Sequence, residues 1–511
     1  MQPHKPIAAP IQRIVILGGG TAGWMAASAL SKALSNLGTN ITVVESDEIG
    51  TVGVGEATVP SIHAFNALLG LPIPEFLERC QATIKLGISF ENWGALGRRY
   101  MHAFSPYGVS AGPGHFDRIW LKHANAARAR GETLDIDDCN IGSLAARASK
   151  FGATGNLPQS LIHAYHFDAA LYGQYLRGHA EARGVTRIEG KVEQVTQDPE
   201  KGFIRALVLQ SGQAVAGDFF IDCSGFNGLL IEKTLKAGYD SWAHWLPCDR
   251  AIAVPSENAG SPALYTRSKA DEAGWMWRIP LQHRAGNGYV YASAHTDDDR
   301  AEARLLAQLD GMATAAPRRL RFTTGRRKTA WSHNCLALGL AAGFLEPLES
   351  TSIHLIQTSI FRLLSLFPDT SFAPAEIDEF NRQTAEEYED IRDFLIAHYK
   401  ATQRDDTPFW AACRDMAVPD RVNAIIGLFA ANGRLTMRPE HLFSTQSWLA
   451  ILLGQGGLPK GYDPLLRPMP DTEAARYVAS VQARLNEAVR QMPDYGTFLA
   501  AQERQPHATA R

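Results

Sequence analysis

Gln12-Arg13-Ile14-Val15-Ile16-Leu17-Gly18-Gly19-Gly20-Thr21-Ala22-Gly23-Trp24 is the stretch that decides the fold class. Gln12 to Leu17 is a short apolar run that stops at glycine, which predicts a buried strand. Gly18, Gly20 and Gly23 give the spacing G-x-G-x-x-G, and the Ala-rich stretch Ala22 to Leu37 predicts a helix. Ile41 to Val44 is a second apolar strand ending in Glu45, so the opening reads as a βαβ unit. Glycines at a strand-to-helix junction allow a tight turn and bring backbone N–H groups and the helix N-terminus close to a pyrophosphate. Glu45, about 20 residues further on, can accept hydrogen bonds from an adenosine ribose. Strand, glycines, helix and acid in this order predict a dinucleotide site.

Outward from this unit, 511 residues are enough for about two or three structural units with a large core. Hydrophobic residues at 45% and charged residues at 20% are the balance of a globular protein. A net charge of -3 gives no electrostatic case for nucleic acid or an anionic membrane surface. The six cysteines, Cys80, Cys139, Cys223, Cys248, Cys335 and Cys413, form no C-x-x-C pair or His/Cys ligand spacing. They predict neither a metal site nor a disulfide framework, and a reducing cytoplasm fits them. Met1 to Pro10 lacks an apolar core of the secretory type and reads as a flexible tail; no run of about 18 apolar residues follows.

Ser105 to His115, rich in Gly, Pro and Ser, predicts a surface loop. Phe167 to Ala182 predicts a helix, and Thr186 to Val195, Phe203 to Leu209 and Phe219 to Cys223 predict strands. Gly274 to Pro280 and Gly288 to Ala292 read as strands of a second sheet, and helices dominate from Ser350, including Glu376 to Tyr399. The expected class is α/β: a Rossmann-like, aromatic-hydroxylase-like FAD-binding body over 11–360 with an interleaved second β-sheet, then a mainly helical subdomain over 361–511. Asp222 ends the strand Phe219 to Cys223 before a Gly-rich turn; its carboxylate either faces a ribityl chain or caps the strand end. Leu338 to Gly343 has the same strand-to-turn character, and this second half favours FAD over NAD.

Trp275 and Trp277 in Gly274-Trp275-Met276-Trp277-Arg278-Ile279-Pro280 are two apart, so on a strand they share a face and form either an aromatic wall or ordinary core. Lys85 sits in Ala82-Thr83-Ile84-Lys85-Leu86-Gly87-Ile88, where apolar neighbours on both sides are unusual for a solvated lysine. Phe344-Leu345-Glu346-Pro347-Leu348-Glu349-Ser350-Thr351-Ser352-Ile353 reads as a loop entering a helix, with Ser350 or Thr351 as N-cap and a small-anion site at the free amides. Glu349 is then either a catalytic acid or a carboxylate favoured by the helix dipole.

W-x-W-x-I-P over Trp275 to Pro280 resembles the signature of flavin-dependent tryptophan halogenases. Gly18 to Trp24 matches that family's FAD loop, and Gly53-Val54-Gly55-Glu56-Ala57-Thr58-Val59-Pro60 matches its second flavin-contacting strap. The similarity runs from the first strand to about Gly456.

The resemblance implies FAD held by Gly18, Gly20, Thr21, Ala22, Gly23, Glu45, Ala57, Asp222 and Gly343. It implies Trp275 and Trp277 as the barrier between flavin and substrate, and Lys85 as the catalytic lysine that receives hypohalous acid. Thr351 and Ser352 would hold chloride or bromide, Ser352 standing where many members carry glycine. Glu349 would face lysine and substrate, and His102, Phe104 and Trp448 would line the pocket for an indole-like ring. The implied partner is a separate NAD(P)H-dependent flavin reductase that delivers FADH2 transiently, with O2 as co-substrate, and a homodimer is compatible with this scheme.

Members that accept free tryptophan grip it with tyrosines and a glutamate in the C-terminal part. The corresponding Leu435 to Trp448 has no tyrosine and offers only Arg438, Glu440 and His441. Indole, or an indole derivative without the free amino acid group, is therefore the expected substrate over tryptophan. A flavin-dependent aromatic hydroxylase, which needs neither Lys85 nor a halide site, is the alternative enzyme. A noncatalytic flavin-binding or carrier-docking protein is the alternative outside catalysis.

Overall fold

The computed structural model describes residues 9–48, 55–109, 115–152, 155 and 157–503. Its first strand, Arg13–Leu17, pairs in parallel with Asn40–Glu45 on one side and Phe219–Asp222 on the other. Thr186–Glu189 and Cys335–Ala337 extend the parallel sheet, and Trp331–Ser332 closes one edge antiparallel. Alternate side chains enter two cores. Ile14, Ile16, Ile41, Val43, Phe219 and Ile221 join the main core, whereas Val15, Leu17, Val44 and Phe220 face a smaller one. Burial on both faces explains why these strands read as continuous apolar runs rather than alternating ones. Each fully buried Ile or Val contributes about 1.5–3 kcal/mol.

The helix expected over Ala22 to Leu37 spans Thr21–Ala33. It ends with Leu34 at the C-cap, and the chain then turns over 34–38 to Gly38, with φ +66°, leaving Leu37 facing solvent. The helix expected from Phe167 begins at Ala169. Phe167 and Asp168 end a strand, and the Asp168 carboxylate caps the helix by accepting from the amides of Ala170 and Leu171.

A seven-stranded sheet lies beside the parallel one, in the order Arg318–Arg321, Arg250–Ser256, Ala285–Tyr291, Gly274–Pro280, Tyr265–Asp271, Gly87–Glu91, Arg99–Ala103. A three-stranded sheet places Ala164–Asp168 between Gly55–Ala57 and Thr83–Lys85, so that Ala57 and Thr83 both pair with His166. This brings the described part of the Gly53–Pro60 strap beside Lys85; Gly53 and Val54 lie outside the described residues. The loop expected at Ser105 to His115 is likewise described only at its ends, and of the expected tail only Ala9 and Pro10 are described.

After Ser350 the chain is mainly helical: Ser352–Ser365, Pro374–Lys400, Pro408–Asp415, Asp420–Asn432, Thr445–Gly454, Asp471–Gln491 and Tyr495–Glu503. Pro374–Lys400 brings Phe394, His398 and Tyr399 into the main core. The architecture is mixed α/β with several sheets and a helical C-terminal part. No helix among the described residues is long and apolar enough to cross a membrane.

Candidate active site

A cavity of about 800 Å³ opens where the parallel sheet meets the seven-stranded one. That is the upper end of the roughly 300–1,000 Å³ range of small-molecule sites. Gly18, Gly19, Gly20, Thr21, Ala22 and Glu45 line one end, whereas Trp277, Val290, Leu320, Phe322 and Phe344 make the other end apolar. Ala57 and Gly343 also face the space.

The glycine turn is a cradle that a side chain would fill. Gly18 has φ +111°, and a Cβ there would lie 2.3 Å from the carbonyl oxygen of Cys223. Glu45 folds its carboxylate over Gly19, is paired with Arg187, and has Arg177 at 3.6 Å. A phosphate-approaching turn, a carboxylate at the end of the neighbouring strand and an apolar far end fit FAD.

Two of the expected cofactor contacts differ. Gly23 lies outside the lining; its place is structural, since a Cβ would fall 1.9 Å from the Gly18 carbonyl oxygen. Asp222 is fully buried and does not face the cavity. Its carboxylate accepts from the amides of Ser224, Leu230 and Ile231, so it shapes the turn that presents Cys223, Ser224 and Gly225.

On the sheet side of the cavity, Gly274–Pro280 runs antiparallel to Ala285–Tyr291 and sets Trp277 opposite Gly288. A Cβ on Gly288 would lie 2.0 Å from the Trp277 ring, so the glycine is what lets that indole lie flat on the neighbouring strand. The Trp275 ring stands 6.1 Å from the Trp277 ring at 56°. Trp277 lines the cavity and Trp275 lies behind it.

Lys85 is fully buried. Its Nζ donates to the carbonyl oxygen of Thr58 at 2.9 Å and to Ser350 Oγ at 2.7 Å, and stands 5.3 Å from the centre of the Phe104 ring. Burial pushes the ammonium down to about 7, with the Glu349 carboxylate opposing the shift. Ser350 also lines the cavity, which makes it the bridge between that space and the lysine.

Glu349 lies in the short turn Pro347–Glu349 before the helix Ser352–Ser365. His102 Nδ1 stands 2.9 Å from its Oε2, and His398 Nε2 stands 2.8 Å from its Oε1. Burial alone would raise its carboxyl, but the two imidazoles hold it down at about 2. Neither hydroxyl expected as N-cap makes a cap bond: Ser350 takes the left-handed conformation (φ 60°) to meet Lys85, and Thr351 occupies the cap position without a side-chain bond. Thr351 Oγ1 is buried and has no hydrogen-bond partner among the described residues. An unpaired hydroxyl beside first-turn amides suits a small anion.

His102 therefore contacts Glu349 and Phe104 stands beside Lys85, whereas Trp448 does not reach these side chains directly. Trp448 packs on Phe394 at 5.2 Å, and Phe394 faces His102 at 5.7 Å. Phe443 stacks on Phe394 at 3.8 Å and 16°. Sequence reasoning missed His398, Ser350 as a ligand of the lysine, Phe394 and Phe443. Ser350 and Phe443 lie in stretches singled out above, but their partners Lys85 and Phe394 come from distant segments, and His398 and Phe394 belong to no local motif.

A family model for tryptophan halogenase matches residues 13–471. The chain is 36% identical to a tryptophan 6-halogenase from Streptomyces albogriseolus, covering 94% of this chain and 97% of that one. It is 34% identical to a tryptophan 7-halogenase from Lentzea aerocolonigenes, covering 96% and 99%. A solved flavin-dependent halogenase from Xanthomonas campestris superposes with a TM-score of 0.92 at 46% identity, over 96% of this chain and 98% of that one. One from Brevundimonas sp. BAL3 gives 0.91 at 45%, over 96% and 99%. With a flavin-sized cavity, a buried lysine beside it and these likenesses along nearly the whole length, the chain belongs to the tryptophan halogenase family and is a flavin-dependent halogenase.

Proposed function

We propose that this enzyme places chlorine or bromine on an indole-type ring that lacks a free amino acid group, through hypohalous acid held at Lys85. The observation that carries the reading is the buried Lys85, tied through Ser350 to the cavity and facing Glu349. When bound, FAD delivered reduced by a separate flavin reductase supplies, with O2, the oxidising chemistry that converts halide to hypohalous acid.

The chain's own residues do the rest. Thr351 and Ser352 hold the halide at the helix start, and Trp275 with Trp277 keeps the aromatic substrate off the flavin side. Lys85, able to exist as amine or ammonium near neutrality, hydrogen-bonds hypohalous acid and polarises its halogen. The ring carbon takes the halogen, and Glu349, held ionised by His102 and His398, stabilises the cationic ring and takes the proton displaced from that carbon. Positioning against Phe104 and His102 selects the carbon.

The preference against tryptophan rests on Leu435 to Trp448. His441 Nε2 is spent on Asp390 at 3.1 Å, Arg438 and Glu440 are exposed, and Phe443 presents a ring. A zwitterion would lose hydration there without dedicated partners. The curated relatives named above act on tryptophan, so the test is direct competition. Indole and tryptophan at equal concentration, with a flavin reductase, FAD, O2 and bromide or chloride, are read by product mass. Halogenated indole in excess is expected; a clear excess of halogenated tryptophan overturns the preference.

A further inference from the structure

The loop Leu345 to Ser350 carries two acids three residues apart, and adjacent residues of the helix Pro374–Lys400 receive them. His398 meets Glu349, and the Tyr399 hydroxyl donates to Glu346 Oε2 at 2.5 Å. The same oxygen accepts the indole N–H of Trp275 at 3.0 Å, while Glu346 Oε1 is buried with no hydrogen-bond partner among the described residues. Glu346 is wholly buried. The titratable groups facing it are Tyr399, whose hydroxyl is also 3.6 Å from Cys248 Sγ, together with Cys248 itself and Cys413 of the helix Pro408–Asp415. No cation among the described residues helps to hold it ionised, and burial pushes its carboxyl up to about 7, the Tyr399 and Trp275 bonds opposing.

The two acids of one loop are thus set apart: Glu349 stays ionised, whereas Glu346 changes charge near neutrality. A neutral amide would accept the same two bonds with less desolvation, so an acid at this position calls for a role of its charge. Charge-assisted bonds are the stronger ones, and here both converge on one oxygen and fix the direction of the Trp275 N–H, hence the plane of its ring against Trp277.

We propose that Glu346 is a positioning residue whose ionised carboxylate fastens Trp275 and Tyr399 to the loop bearing Glu349 and Ser350, so that its charge keeps the tryptophan wall closed. The part concerning the wall rests on the barrier reading above. Protonation weakens both bonds and loosens the wall.

The test uses the full chain without ligands first. The ultraviolet resonance Raman band that reports indole N–H hydrogen bonding is recorded for Trp275 as the difference between wild type and Trp275→Phe, from pH 5.5 to 8.5. A shift with a midpoint near 7 in wild type, absent in Glu346→Gln, is expected. A pH-independent band in wild type, or the same titration in Glu346→Gln, overturns the proposal. With flavin, reductase and substrate, Glu346→Gln and Tyr399→Phe are each expected to lower product formed per flavin oxidised at pH 8 by about tenfold, the factor set by roughly 1.4 kcal/mol of lost fixation. Wild-type coupling in Glu346→Gln means that only its acceptor oxygen matters, which also overturns it. If instead Trp275→Phe leaves coupling unchanged, the barrier reading falls, and the Raman titration still decides the role of the Glu346 charge.

Discussion

Replacing Lys85 by methionine separates its cost from its use. The thioether fills the volume of the buried stem without an ionisable group. In the folded chain the ammonium has been pushed from 10.5 to about 7, whereas the unfolded chain keeps the ordinary value. Between those two pH values the unfolded state therefore binds one proton more than the folded state, and stability rises with pH through that window. Integrated from pH 7 to 9, with the folded group half-protonated at the start, the rise due to Lys85 is about 2 kcal/mol. Urea unfolding of wild type and Lys85→Met at both pH values isolates the term, because every other titrating group is common to both proteins. The difference in unfolding free energy, wild type minus variant, should grow by about 2 kcal/mol from pH 7 to 9. In the same variant, halogenated product should fall by about 10²–10⁴-fold while FAD binding and flavin oxidation stay near wild type. Parallel stability profiles would refute the desolvated lysine, and near-normal product would refute its role.

Glu349→Gln removes the charge that His102 and His398 face, and should slow product formation about hundredfold while an external trap still captures hypohalous acid; unchanged turnover at saturating substrate removes Glu349 from the chemistry. Gly288→Ala forces the Trp277 ring off the neighbouring strand and should destabilise the fold by about 1–3 kcal/mol, with less product per flavin oxidised. Denaturation and coupling indistinguishable from wild type would show that Trp277 has room that the structure denies it. Gly18→Ala strains a backbone at φ +111° and drives a methyl into Cys223, so FAD affinity measured by fluorescence titration should fall at least about tenfold; retention of affinity would mean that the turn is not the cofactor cradle.

How much of this was legible along the chain depended on how local each signal is. The βαβ opening could be read because strand burial, glycine spacing and a terminal acid all lie between Gln12 and Glu45 and act through backbone geometry. The W-x-W-x-I-P strand was legible for the same reason, since a period of two places Trp275 and Trp277 on one face whatever lies opposite. Helix ends were less so: Leu37 looked helical, yet the helix ends at Ala33 and the chain turns over 34–38 to a left-handed Gly38. At Asp222 two readings stood open, and the amides of Leu230 and Ile231, on the far side of the turn, decided for the capping one.

The order of apolar runs, glycines and tryptophans along the chain determined by itself the fold class, the family and the candidates Lys85 and Glu349. Only the tertiary structure decided their chemical state. Lys85 comes down toward neutrality because it is buried among Thr58, Phe104 and Ser350 from separate segments, and Glu349 stays ionised because His102 from a sheet edge and His398 from a helix end converge on its two oxygens. Glu346, on the same loop, escapes that fate because its neighbours are an indole and a phenol. A side chain's charge is set by the dielectric and the partners within a few ångströms, and those partners are brought there by packing between segments that the sequence keeps far apart.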